Sequence, residues 1–139
     1  MRHTDKLFKL LALILLMTLY TDAGITGNWV TYDDKSGKKK SIVKITQRGN
    51  TLSGKIIKMF TYPPDTVCTP CKGKLHNKKV LGMTIFSNLT LKDGKWKGGK
   101  ILDPENGKWY TCEMWEEGSK LKVRGYILMF FRTQIWKRH

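Results

Sequence analysis

The chain has 139 residues, enough for one domain, and carries 26 Lys and Arg against 11 Asp and Glu, a formal net charge of +15. Such a surface attracts anions (nucleic acid, acidic lipid, lipopolysaccharide or acidic polysaccharide) without choosing among them. The three histidines are His3, His76 and His139, one near each end, which excludes a convincing Ser–His–acid constellation.

At the start of the chain, Arg2, Lys6 and Lys9 precede an uncharged run over 10–19, followed by Thr21-Asp22-Ala23 and Gly24. A basic head, a short apolar stretch and an alanine-ended site read as a secretory signal peptide over residues 1–23. The run falls well short of the roughly 20 residues of a membrane-spanning helix, although an uncleaved anchor is the alternative reading. Cleavage would leave residues 24–139 with 23 basic and 9 acidic side chains, net +14. Export argues against nucleic acid as a partner.

From Gly24 onward short alternating runs are separated by turn chemistry. Strands are expected over 29–32, 41–47, 51–60, 89–92, 95–102, 108–115, 120–126 and 133–138. Asp93-Gly94 suits the left-handed backbone of a tight hairpin, and Glu117-Gly118-Ser119 marks another. Residues 62–79, with Pro63-Pro64 and four lysines, form the one long irregular stretch. About eight strands joined as successive hairpins predict an all-β fold, a single up-and-down antiparallel β-barrel in which closure removes exposed edges. Trp96, Trp109, Tyr110, Trp115, Tyr126 and Trp136 alternate along these strands and are expected mostly to fill the core and the barrel ends.

Cys68, Cys71 and Cys112 are the three cysteines. In an exported chain Cys68-Thr69-Pro70-Cys71 most naturally closes as a local disulfide. A thioredoxin-like motif would need a strand before and a helix after, and zinc held by Cys68, Cys71 and His76 lacks a fourth ligand unless Cys112 approaches. Cys112 is expected to be buried and reduced. No metal and no cofactor is expected.

Two resemblances follow from these residues. Gly27-Asn28-Trp29 resembles the Gly-x-Trp signature of lipocalins, in which the tryptophan plugs one barrel end and an arginine near the last strand packs over it. Arg132 and Arg138 flank Trp136, and Arg138 is the favoured counterpart. Further along stand Leu52-x-Gly54-Lys55-Ile56, Cys68-x-x-Cys71 and Leu81-Gly82-Met83. Then come Trp96-x-Gly98-Gly99-x-Ile101-x-Asp103-Pro104-x-Asn106-Gly107-Lys108-x-Tyr110, Leu121-x-Val123-Arg124-Gly125-Tyr126 and Arg132-Thr133-Gln134-x-Trp136-x-Arg138. With Gly27-x-Trp29 these resemble the bacterial exported family catalogued as domain of unknown function 2147. The resemblance implies a lipocalin-like barrel in the periplasm or outside the cell, and it implies no activity. The apolar run Leu128-Met129-Phe130-Phe131 departs from the more polar, glycine-containing loop the resemblance suggests.

Each chemical candidate has a plainer alternative. Asp103-Pro104-Glu105-Asn106-Gly107 places two carboxylates on one tip, but its composition is that of a turn, and a solvated tip offers no means of holding one acid protonated. Arg124 is the expected ion partner of Asp103. The run 127–131 is either an exposed contact patch or a barrel plug. The expected function is non-enzymatic: holding a small apolar or amphipathic ligand through Tyr110, Arg124, Tyr126, Leu128, Phe130, Phe131 and Arg132, with Lys and Arg at the mouth for an anionic head group. The alternative is a solid-cored envelope adaptor that binds a protein, an acidic glycan or an anionic lipid through its basic surface.

Overall fold

Residues 24–139 are described by a computed structural model; the expected signal peptide and its cleavage site lie outside the described residues. Eight strands follow one another: β1 (Gly27–Tyr32), β2 (Lys39–Arg48), β3 (Thr51–Met59), β4 (Thr84–Lys92), β5 (Lys95–Asp103), β6 (Lys108–Glu117), β7 (Lys120–Ile127) and β8 (Phe130–Arg138). Each pairs antiparallel with the next, and β8 returns to β1, so the sheet closes as a barrel in chain order. Up-and-down connection and closure are as the run of hairpin signals predicts.

The turns assign the two ends. Gly49-Asn50, Asp93-Gly94 and Gly118-Ser119 join strands at one end with two residues each, and Gly49, Asp93, Gly94 and Gly118 take positive φ. That tight chemistry lets strands converge, and the core is densest there. Leu52, Leu89, Met114 and Leu121 have no exposed surface, and Phe86 packs so near the backbone of Gly54 that a methyl at that glycine would strike its ring. Three longer connections and the two-residue turn Leu128-Met129 lie at the opposite end.

Closure is narrowest in register: only Trp29 with Arg138 and Val30 with Lys137 pair across the β1–β8 seam. The seam is locked by side chains. Trp29 is 2% exposed and donates its indole N–H to the Ile25 carbonyl at 2.8 Å. The Arg138 guanidinium lies 4.0 Å from the centroid of that indole and donates to the carbonyls of Thr26 (2.5 Å) and Gly24 (2.7 Å). Arg138, not Arg132, therefore covers the signature tryptophan.

Several expectations change. β4 begins five residues before the expected 89, because Ser87-Asn88 breaks the alternation; Asn88 sits at φ 60° and two consecutive positions face solvent. β8 begins at Phe130, not Thr133, so the apolar run is a hairpin and not a plug. Of the six strand aromatics assigned to the core and ends, Trp136 alone is fully buried. Trp96 and Tyr110 are half-buried, whereas Trp109, Trp115 and Tyr126 alternate with buried Cys112, Met114 and Val123 and so point outward. Aliphatic and sulfur side chains fill the space instead.

Two outcomes follow. Arg138→Ala removes a cation–π contact and two charge-assisted hydrogen bonds at an exposed position, and should lower stability by about 2 kcal/mol, or roughly 8 °C in thermal midpoint, measured by calorimetry. Burial pushes the Cys112 thiol up to about 12. Alkylation at pH 8.5 should therefore leave the native protein untouched and label Cys112 once denaturant exposes it.

Candidate functional site

Away from the packed end the same strands diverge around open space. The connections 33–38, 60–83, 104–107 and 128–129 ring this mouth. Beneath it lies a cavity of about 670 Å³, walled by aliphatic side chains such as Val43, Ile56, Ile85, Ile101 and Val123, with Trp136 also contributing. This volume is in the range that holds one small organic molecule. The barrel is thus solid in one half and a cup in the other, which removes the solid interior on which the adaptor reading rested.

Each mouth loop is set by local chemistry. In 33–38 the Asp33 carboxylate accepts the backbone N–H groups of Ser36 (2.7 Å) and Lys35 (3.1 Å), and these bonds hold its pKa below the ordinary carboxylate value. In 103–107 the Asp103 carboxylate accepts the Glu105 N–H at 3.0 Å, and the Gly107 N–H closes onto the Asp103 carbonyl at 2.8 Å. The long connection is pinned by the Cys68–Cys71 disulfide, by a bridge between Val67 and Lys79, and by a hydrogen bond between the His76 ring and the Cys71 carbonyl. With both sulfurs oxidised, neither is a thiolate ligand, and the described residues contain no cluster of metal-ligating side chains.

The two loops also seat against each other. Gly107 takes φ +71°, and a methyl there would collide with the Pro70 carbonyl. Glycine at this position answers to both needs.

The paired carboxylates of the tip are spent on structure: Asp103 caps its own turn, and Glu105 forms an ion pair with Lys40 at 3.1 Å. Arg124, the expected partner of Asp103, faces the other way. Its Nε donates to Thr133 Oγ1 at 2.7 Å, and its guanidinium lies 4.0 Å from Glu113 and over the rings of Trp115 and Phe131.

The ligand-binding candidates divide accordingly. Tyr110, Phe130 and Arg132 line the cavity, whereas Phe131 touches only its edge and turns its ring outward against Arg124 and Tyr126. Arg124 and Tyr126 stand on the outer face of β7, where Tyr126 donates to Glu113 at 2.5 Å. Their alternation with Leu121, Val123 and Gly125 puts them outside. Leu128 sits at the hairpin tip, 90% exposed.

Other residues complete the rim. Arg132 pairs with Asp34 at 3.0 Å, Gln134 donates to the same carboxylate at 3.2 Å, and the Trp136 indole donates to Gln134 at 3.1 Å. Asn106 donates to the Tyr110 hydroxyl at 2.8 Å. Lower down, the hydroxyls of Thr31 and Ser41 bond to each other at 2.7 Å, and among the described residues no buried side-chain polar atom lacks a partner. Lys40 and Asp34 were not singled out from sequence, and Gln134 stood there only inside the Arg132-Thr133-Gln134 motif; strand parity at Trp136 was the available signal for its place at the rim, while loop residues such as Asp34 carry none. Of the signature residues, Gly27, Trp29, Trp136 and Arg138 belong to the β1–β8 seam and its surroundings, Gly98-Gly99 lie at the β5 register shift, and Asp103, Pro104 and Gly107 form the rim tip.

Comparison with known proteins agrees with this geometry. No curated protein matches the chain. A solved structure, protein HP1028 from the human pathogen Helicobacter pylori, described as belonging to the lipocalin family, superposes with a TM-score of 0.72 at 20% identity, covering 83% of this chain and 82% of that one. The fold is lipocalin-like. Residues 27–138, the whole barrel, match the family described as "Uncharacterized protein conserved in bacteria (DUF2147)", and the chain belongs to that family.

Proposed function

We propose that the protein is an exported carrier that holds one small amphipathic molecule in the cup, its apolar part against Val43, Ile85 and Val123 and its polar end at the rim. The observation that carries this reading is the cavity of about 670 Å³ beneath an open mouth, in a barrel whose other half is packed solid. Apolar walls with a few convergent polar groups are the usual make-up of a small-molecule site.

The rim narrows the chemistry. Lys40 and Arg132 each have a carboxylate partner, Glu105 and Asp34, so a bare anion would have to displace an acid to reach either cation. Affinity therefore rests on the buried apolar portion, and a head group able both to donate and to accept fits the rim formed by Asn106, Tyr110, Arg132 and Asp34. Each further methylene of a chain buried against these walls contributes about 0.8 kcal/mol to that affinity. With its carboxylates engaged in a turn and an ion pair, the 103–107 tip supports binding and not acid–base catalysis.

Native mass spectrometry of protein purified from its own host should show one noncovalent small molecule per chain, recovered by solvent extraction. The apolar dye N-phenyl-1-naphthylamine should bind the emptied protein and be displaced by that extract. Ile101→Trp, which builds into the cavity from a half-buried position, should weaken dye binding at least roughly tenfold while retaining a cooperative thermal transition. Protein that repeatedly emerges empty, and whose dye signal ignores fatty acids and anionic lipids, refutes the carrier reading.

A further inference from the structure

The β7–β8 hairpin breaks the rule its three counterparts obey. At the packed end each two-residue turn is made of Gly, Asn, Asp or Ser. At the mouth the turn is Leu128-Met129, with Ile127 and Phe130 paired below it. Leu128 sits at φ 53°, the left-handed backbone that Gly49, Asp93 and Gly118 adopt in the corresponding first position. A branched aliphatic residue is disfavoured there, and nothing in the fold covers it in return: Leu128 is 90% exposed, Met129 84%, Phe130 72% and Phe131 59%. The residue types are wrong for folding the turn and wrong for facing water, so an external apolar medium must receive them.

The surroundings select the medium. Two cations flank the tip, each also beside an acid: Arg124, 4.0 Å from Glu113, lies over the Phe131 ring at 4.6 Å, and Arg132, paired with Asp34 at 3.0 Å, stands on the next strand position. From the 60–83 connection, exposed Tyr62 and Val67 line the mouth, and Lys72, Lys74, Lys78 and Lys79 further along it are all exposed. Residues 24–139 carry net +14. A protruding tip of large, deformable side chains offers no groove or flat complementary face for a protein, whereas an apolar tip flanked by arginines on a strongly basic domain matches the boundary between head groups and acyl chains of a negatively charged bilayer. We propose that the mouth of the barrel docks on anionic lipid membranes, with Leu128 and Met129 entering the interface and the surrounding cations resting on the head groups. The mouth then opens directly against the bilayer.

Residues 24–139 contain all eight strands and close the barrel among themselves, so the test uses that fragment. It should co-sediment with phosphatidylcholine vesicles containing phosphatidylglycerol, at least roughly tenfold more tightly than with phosphatidylcholine alone, and release as salt is raised. Leu128→Gly with Met129→Asn replaces the tip by ordinary turn chemistry. This variant should melt no lower than the native protein and should lose at least roughly tenfold in vesicle affinity; Leu128→Asn, which also tolerates positive φ, should fall between them. Ile101→Trp should dock like the native protein, so that docking and ligand retention fail separately. The proposal is overturned if the native fragment does not sediment with either vesicle, which would redirect the patch to a protein partner. It is equally overturned if the double variant sediments as well as the native fragment, since charge alone would then account for adsorption.

Discussion

One stacked pair holds the closed sheet together. The guanidinium of Arg138 over the indole of Trp29 sits where β8 rejoins β1, at a seam with only two register pairs. A barrel gains its stability by leaving no edge, so whatever secures the last seam secures every other strand. The carbonyls of Gly24, Ile25 and Thr26 draw the residues before β1 into the same lock, through Arg138 and the Trp29 N–H. Plugging that end with a tryptophan and an arginine frees the other end from any structural duty of closure.

The division into a solid half and a hollow half follows. Two-residue turns built on Gly and Asp draw the strands together around Leu52, Leu89, Met114 and Leu121, leaving no space for a guest. The mouth-end segments meet one another: the disulfide-pinned 60–83 connection seats against Gly107, and Lys40 at the start of β2 pairs with Glu105. Ion pairs on a solvated rim contribute little to stability, so these partners fix the shape of the opening more than they hold the fold. A site of this kind separates its tasks, with the aliphatic interior supplying affinity and the rim supplying orientation.

The outer face of β6, β7 and β8 has a logic of its own. Glu113, Trp115, Arg124, Tyr126, Phe131 and Thr133 interlock through an ion pair, two hydrogen bonds and cation–π contacts on the side of the sheet away from the cup. These contacts stiffen the hairpin that carries the apolar tip. Trp115, Tyr126 and Phe131 lie outside, while Trp29, Phe86 and Trp136 pack inside among aliphatic and sulfur side chains.

Much of this was legible in the amino-acid order. Alternation with period two, Asp93-Gly94 and Gly118-Ser119 between strands, and Gly27-x-Trp29 ahead of Arg138 together determine a closed antiparallel barrel with a plugged end, because each is a local requirement of pleat, turn or signature. The Cys68–Cys71 bond was readable for the same reason, being closed within four residues. What the order of residues left open was decided by three-dimensional arrangement. Which face of a strand an aromatic takes depends on register, and a one-residue choice sends Tyr110 inward and Tyr126 outward. Whether 127–131 plugs or protrudes depends on where β8 begins. Whether the interior is filled or hollow depends on which side chains the register turns inward toward the mouth and how the loops there pack, through contacts such as Pro70 on Gly107 between residues far apart along the chain.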